Sequence, residues 1–246
     1  NNLPIKPTDD ARYSTDANFL GLTHEAGDLE NVSIPPFFIT PGMGSWPWNA
    51  IDQPQTIGIS WRKGIPISID GRSCDLVEII NEANQIAGQH GIGIGTHVLE
   101  NRFVGTKSRG IYESPGMELL GRTYEYLIQF ILDRRARIFY TQLSSLISEQ
   151  IYQGYWLDPT TNYALSALNA ITQLVTGDIF VRLYKGGIYF EKSDNTQEVI
   201  PHSLYTDDSS MESLGTYNHS DSEGFLKVLG VSAKNVGRKQ NESLNQ

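Results

Sequence analysis

Two stretches of apolar–polar alternation, each bent about a short glycine turn, stand far apart in the chain with helix-patterned sequence between them. Residues 56–61 (Thr-Ile-Gly-Ile-Ser-Trp) and 65–70 (Ile-Pro-Ile-Ser-Ile-Asp) flank Arg62-Lys63-Gly64, and residues 179–184 and 188–190 flank Lys185-Gly186-Gly187. A period of two around such a turn specifies a β-hairpin. Pro66 lacks an N–H, which places the second strand of the first hairpin near a sheet edge. Asp75 with Glu78 has the capping-box pattern, and Leu76, Ile79, Ile80, Ala83, Ile86 and Ala87 follow at helical spacing until Gly88 and Gly91. Residues 97–104 are strand-like. Helical spacing resumes at Met117 and persists to about Gln153, too long for one globular helix, so a break is expected near Asp133-Arg134-Arg135. Asp158-Pro159 opens a further helix that ends before Gly177. Antiparallel hairpins and a mixed sheet packed with long helices, without strict βαβ alternation, give an α+β class rather than a doubly wound sheet.

The chain has 246 residues, of which 39% are hydrophobic and 19% charged, enough to form a core. A net charge of −9 speaks against a nucleic-acid surface, because that binding needs Lys and Arg to neutralise phosphates. It does not speak against one nucleotide held by a local basic spot. The single cysteine, Cys74, excludes an internal disulfide and a multi-cysteine zinc site, and reads as a small, partly buried residue at a helix start. Five histidines without metal spacing imply no protein-held metal. No run approaches the ~18–20 apolar residues of a membrane span, and no signal segment is visible, so the expectation is a cytoplasmic chain with no membrane partner. The start at Asn1, without an initiator Met, reads as a linker that continues from something upstream.

Residues 1–13 read as an extended entry segment. Residues 31–55 combine Pro35, Pro36, Pro41, Pro47 and Pro54 with Phe37, Phe38, Trp46 and Trp48; proline blocks helix and central strand, so this is an irregular loop that packs down or meets a neighbouring subunit. Residues 206–223 are acidic and irregular. The amphipathic stretch 224–229 runs into a polar tail, as an arm that docks on another subunit would.

The chemistry concentrates in residues 100–113, Glu-Asn-Arg-Phe-Val-Gly-Thr-Lys-Ser-Arg-Gly-Ile-Tyr-Glu, which end at Ser114-Pro115-Gly116. A run so mixed, leaving a β-rich segment, reads as a loop forming a site wall. Glu100, and Glu25 in the earlier segment 14–30, each sit where apolar sequence turns mixed and polar. They are either ligand carboxylates or partners in a structural ion pair with Arg102 or Arg109. Ser14 and Thr23 are donors to a ligand carboxylate or helix caps, and Asp16 is a ligand group or a turn cap. Lys107 and Arg109, interleaved with Ser108 and Gly110, form a candidate anion cradle or a solvated charged loop. His24 is a proton shuttle or a hydrogen-bonded structural histidine. The chain has no Gly-x-Ser-x-Gly, no Gly-x-x-x-x-Gly-Lys and no dinucleotide fingerprint. Pattern alone stops at an α+β ligand-binding domain.

The segments 14–30 (Ser-Thr-Asp-Ala-Asn-Phe-Leu-Gly-Leu-Thr-His-Glu-Ala-Gly-Asp-Leu-Glu) and 100–113, with Asn81-Glu82-Ala83-Asn84 through Gly88-Gln89-His90-Gly91 and Tyr152-Gln153-Gly154-Tyr155-Trp156, resemble the argininosuccinate synthases. The likeness is to the carboxy-terminal synthetase and oligomerisation portion, in the longer bacterial-type branch. It implies a ligase of arginine biosynthesis that joins citrulline to aspartate using ATP, with Mg2+ accompanying the nucleotide, through a citrulline–adenylate. By the same resemblance Ser14, Thr23, Glu25, Glu100 and Tyr112 would line the citrulline pocket and Asp16 would face ATP. Residues 1–205 would be the synthetase domain and 206–246 an oligomerisation arm. Further implied partners are the family's own amino-terminal nucleotide-binding domain and other copies in a homotetramer.

Two departures bear on these expectations. Thr106 stands where some relatives carry Met and others Ala, a change of packing. The family's Ser-Gly-Gly-x-Asp-Thr loop for the ATP pyrophosphate has no counterpart here, so the chain alone should bind citrulline poorly and adenylate nothing. The competing readings are a non-catalytic binding or oligomerisation module on the same fold, and an amide-forming ligase with another acceptor.

Overall fold

A computed structural model describes residues 12–100, 104–206 and 218–244, and these form two compact units divided between Leu204 and Tyr205. The first unit carries two sheets. One has the strands β1 (Ser14–Ala17), β2 (Leu22–Glu25), β6 (Ile94–Glu100) and β7 (Lys107–Glu113) in the order β1-β2-β7-β6. The other has β3 (Gln55–Arg62), β4 (Ile65–Ile69), β5 (Arg72–Ser73), β8 (Gly177–Tyr184) and β9 (Gly187–Lys192) in the order β5-β4-β3-β8-β9. Every described pairing is antiparallel, so the α+β class holds while the expected mixed sheet does not occur.

Both anticipated hairpins form in the five-stranded sheet. Arg62 pairs with Ile65 across Lys63 (φ 52°) and Gly64 (φ 80°), the two left-handed residues of a type I′ turn. Lys185 (φ 43°) and Gly186 (φ 84°) turn the second hairpin the same way. Pro66 sits at a bulge opposite Trp61, beyond the reach of two-residue β5, so its missing N–H breaks no ladder.

The main core lies between this sheet and two helices, α1 (Leu76–Gln89) and α2 (Pro115–Ile131). Ile57, Ile59 and Trp61 of β3 and Ile179, Val181 and Leu183 of β8 alternate inward onto Ile79, Ala83, Leu119 and Leu127. Asp75 and Glu78 make the reciprocal capping box at the start of α1. The helical stretch after Met117 breaks at Leu132: Asp133 caps α3 (Arg134–Tyr152), and Asp158 caps α4 (Pro159–Thr172). Leu143 and Ile147 of α3 pack on Ala164 of α4 in a smaller cluster.

Residues 27–50 run through three single turns of 3-10 helix and cover one face of the four-stranded sheet. Leu29, Ile39 and Trp46 pack there on Ile111. The tie between this sheet and the core is polar. The Asn84 side chain on α1 accepts from Gly116 N–H (2.9 Å) at the start of α2 and donates to Phe19 C=O (3.2 Å) in the β1–β2 turn.

The second unit contains α5 (His219–Leu244), whose 26 residues extend well beyond the amphipathic stretch 224–229. Among the described residues no helix is long and apolar enough to cross a membrane. Residues 1–11 of the entry segment, residues 101–103 and residues 207–217 of the acidic stretch lie outside the described residues, and the end of that stretch, from His219, is helical rather than irregular.

Candidate functional site

Strand register sorts the candidate residues by face, because successive side chains point to opposite sides of a sheet. Ser14 stands opposite Glu25, Asp16 opposite Thr23, Thr23 opposite Tyr112, and Tyr112 opposite Gly95. Ser14, Asp16, Thr23, Glu25 and Tyr112 therefore share one face of the four-stranded sheet. It is the face not covered by residues 27–50. Ser14 and Asp16 are exposed, and Thr23, Glu25 and Tyr112 are half-buried. Neither hydroxyl caps a helix: the Ser14 Oγ donates across the strands to Glu25 C=O at 3.1 Å. Asp16 caps no turn either, since Asn18 does that by accepting from Leu20 and Gly21 N–H.

Tyr112 has glycine on two sides, Gly95 across the strand and Gly110 two residues before it. A Cβ on Gly110 would come within 2.8 Å of the tyrosine ring. The bare backbone leaves room for the ring to lie along the sheet, with His97 edge-on at 5.4 Å between centroids. Burial raises the Tyr112 phenol above its usual range, and Glu25 and the Tyr152 phenol add to the effect, so Tyr112 keeps its proton at neutral pH. The face thus offers two carboxylates, several hydroxyls and an imidazole. Register assigns it no Lys or Arg among the described residues.

Glu100 is not brought to this face. It pairs with Lys107 at the end of β6, an odd number of residues from Gly95, so its side chain falls on the opposite side. There it makes a 4.0 Å ion pair with Lys107 while 58% exposed. The anion cradle also fails. Residues 107–113 are a strand rather than a loop, and Arg109 is buried, donating from Nε to Leu29 C=O (2.7 Å) and from Nη2 to Asn31 C=O (3.0 Å). Arg109 fastens the covering segment and pairs with neither Glu25 nor Glu100; Arg102 lies outside the described residues.

Behind the open face runs a polar chain, exposed at Thr15 and buried at His24 and Glu113, that the sequence did not mark as a unit. Thr15 Oγ1 lies 2.9 Å from His24 Nδ1, and His24 Nε2 lies 2.8 Å from Glu113 Oε1. The Glu113 carboxylate also accepts Gly42 N–H (2.8 Å) and Met43 N–H (2.9 Å). His24 and Glu113 are each 2% exposed. Of its two readings His24 takes the structural one. The sequence signal was the interleaving itself: Thr15 between Ser14 and Asp16, His24 between Thr23 and Glu25, and Glu113 after Tyr112.

A cavity of about 590 Å3 opens elsewhere, lined by Leu20, Trp61, Ile80, Leu120, Tyr124 and Ile128 among others. Its lining is mostly apolar, with Glu125, Arg137 and Thr141 among its polar members. Among the described residues no three His, Cys, Asp or Glu side chains converge as a metal site would.

Residues 13–236 match the family model of the arginosuccinate synthase C-terminal domain. The chain belongs to the argininosuccinate synthase family. It is 34% identical over 238 residues to the argininosuccinate synthase of Rhodopirellula baltica, covering 96% of this chain and 57% of that protein. It is 35% identical to that of Carboxydothermus hydrogenoformans, covering 94% and 57%, and 35% identical to the chloroplastic argininosuccinate synthase of Arabidopsis thaliana, covering 95% and 46%. The chain thus spans about half the length of these curated argininosuccinate synthases.

Proposed function

We propose that this chain supplies the citrulline-binding half of an ATP-dependent ligation of citrulline and aspartate to argininosuccinate. The supporting observation is the convergence of Ser14, Asp16, Thr23, Glu25 and Tyr112 on one open face of a three-strand register. Such a face suits a zwitterion. The Glu25 carboxylate accepts from an ammonium or ureido N–H, Thr23 and the protonated Tyr112 phenol donate to oxygens, and the Ser14 hydroxyl, whose proton goes to Glu25 C=O, accepts. Glu100, which the family resemblance also gives to citrulline, stands on the other side of the sheet at the end of β6 and would have to leave its long, exposed ion pair with Lys107 and turn across the strand end to reach this ligand.

The reaction has two displacements. The citrulline ureido oxygen attacks the α-phosphorus of ATP and pyrophosphate leaves, giving the citrulline–adenylate. The aspartate amine then attacks the ureido carbon, loses a proton, and AMP leaves with the former ureido oxygen. ATP supplies the electrophilic phosphorus, and Mg2+ carried on the phosphates offsets their charge. This chain's side chains bind and orient the ureido group, and fixed geometry of that kind supplies much of such a barrier reduction. Asp16 is assigned to the nucleotide side. A face with two carboxylates and, among the described residues, no cation does not suit a triphosphate on its own, which supports a second, nucleotide-binding unit opposite it. Association into a homotetramer through the second unit belongs to the same reading.

The test is an assay of the intact protein with citrulline labelled by 18O in the ureido group. The expected result is AMP formation dependent on both citrulline and aspartate, with the label in the AMP phosphate. AMP without label would overturn the adenylate route, and no AMP at all would favour a non-catalytic binding or assembly module.

A further inference from the structure

We propose that Thr15, His24 and Glu113 form a positioning relay that holds the ligand-facing residues in register from behind. This deepens the reading above and rests on it, since it names what sets the geometry of the citrulline face. Each member lies next in sequence to a residue of the open face, on the same strand and the opposite side. Thr15 backs Ser14 and Asp16, His24 backs Thr23 and Glu25, and Glu113 backs Tyr112.

The need for such a device follows from the strands. β1 and β2 have four residues each, and β1 is an edge strand. Backbone ladders fix spacing but are nearly indifferent to a slip of one residue, and a slip of one turns every side chain to the other face. Such a slip would carry Ser14 and Asp16 away from the ligand. Side-chain bonds specific to one register, part-buried at Thr15 and buried at Glu113, prevent it. Thr15–His24 fixes β1 on β2, and His24–Glu113 fixes β2 on β7. The two N–H groups of Gly42 and Met43 hold the Glu113 carboxylate in place in turn.

The relay works for either charge state of His24. A neutral ring donates from Nε2 to Glu113 and accepts the Thr15 hydroxyl at Nδ1; a protonated ring donates to both. Both carboxylate oxygens of Glu113 are occupied by donors. A neutral amide there would set an N–H against an N–H, so Glu113→Gln breaks one link with little change of shape.

Steady-state kinetics and amide exchange on the intact protein test the relay in four variants: Thr15→Val, His24→Asn, His24→Gln and Glu113→Gln. The asparagine amide is too short to reach Glu113, whereas the glutamine amide occupies the place of Nε2. The relay predicts a rise in KM for citrulline of up to about 100-fold in His24→Asn and Glu113→Gln, with KM for ATP unchanged. It also predicts recovery towards the wild-type KM in His24→Gln. An unchanged citrulline KM, or an equal loss for every substrate without recovery in His24→Gln, would overturn it. If the wild-type protein does not ligate citrulline, the functional reading fails and amide exchange still decides the relay. Faster exchange confined to β1, β2 and the end of β7 in Thr15→Val and His24→Asn supports it, and unchanged exchange there refutes it.

Discussion

The Tyr112 ring lies over Gly110, which has no side chain for it to climb over. Gly110→Ala would put a methyl group 2.8 Å from the ring edge and 3.2 Å from His24 C=O, and the ring is the part able to give way. The variant is therefore expected to raise the citrulline KM while the urea midpoint of the intact protein moves little. A large loss of stability with an unchanged KM would mean that the ring does not set the pocket. Residue identity was legible here and direction was not. Arg109 read as part of an anion cradle, a solvated loop or an ion pair, yet two carbonyls of the covering segment hold it buried on the other face. Glu100 was chosen with Glu25 by motif, and only the pairing of β6 with β7 reveals that strand parity separates them.

Elements specified by neighbours in sequence were readable, and elements specified from a distance were not. Period-two alternation about Lys63-Gly64 and Lys185-Gly186, the Asp75–Glu78 box and the caps Asp133 and Asp158 all act within a few residues, and each is found in the structure. β1, β2 and β7 gave no such signal. β1 is exposed along its length, β2 is short, and β7 is polar enough to pass for a loop. What makes them strands is mutual pairing across long separations, with Thr23 against Tyr112. A local prediction follows from the capping box. Asp75→Ala removes the acceptor for Glu78 N–H and should lower stability by about 1 kcal/mol in urea unfolding, without altering the citrulline KM. No change in the midpoint would show that the cap is satisfied in another way.

Across the first unit, His90 joins parts far apart in the chain. It caps the end of α1, its Nε2 lies 3.1 Å from Gln55 Oε1 at the start of β3, and its carbonyl accepts Gly186 N–H at the second hairpin. The ring is fully buried and Nδ1 has no partner. Burial lowers its pKa below the ordinary 6.5. The unfolded chain then binds a proton at pH values where the folded chain does not. Stability is accordingly complete above about 6.5 and is lost as pH falls below it. The urea midpoint should drop between pH ~7.5 and ~5.5 in the wild type, and drop less in His90→Asn; equal slopes would assign the loss to other groups. The same unit presents its open sheet face to the ligand, and one substitution on that face tests the whole account. Glu25→Gln keeps size and removes the charge offered to citrulline. In the intact protein it is predicted to raise the KM for citrulline by about 10- to 100-fold with the KM for ATP unchanged. An unaltered citrulline KM would contradict the assignment of this face to the amino-acid substrate.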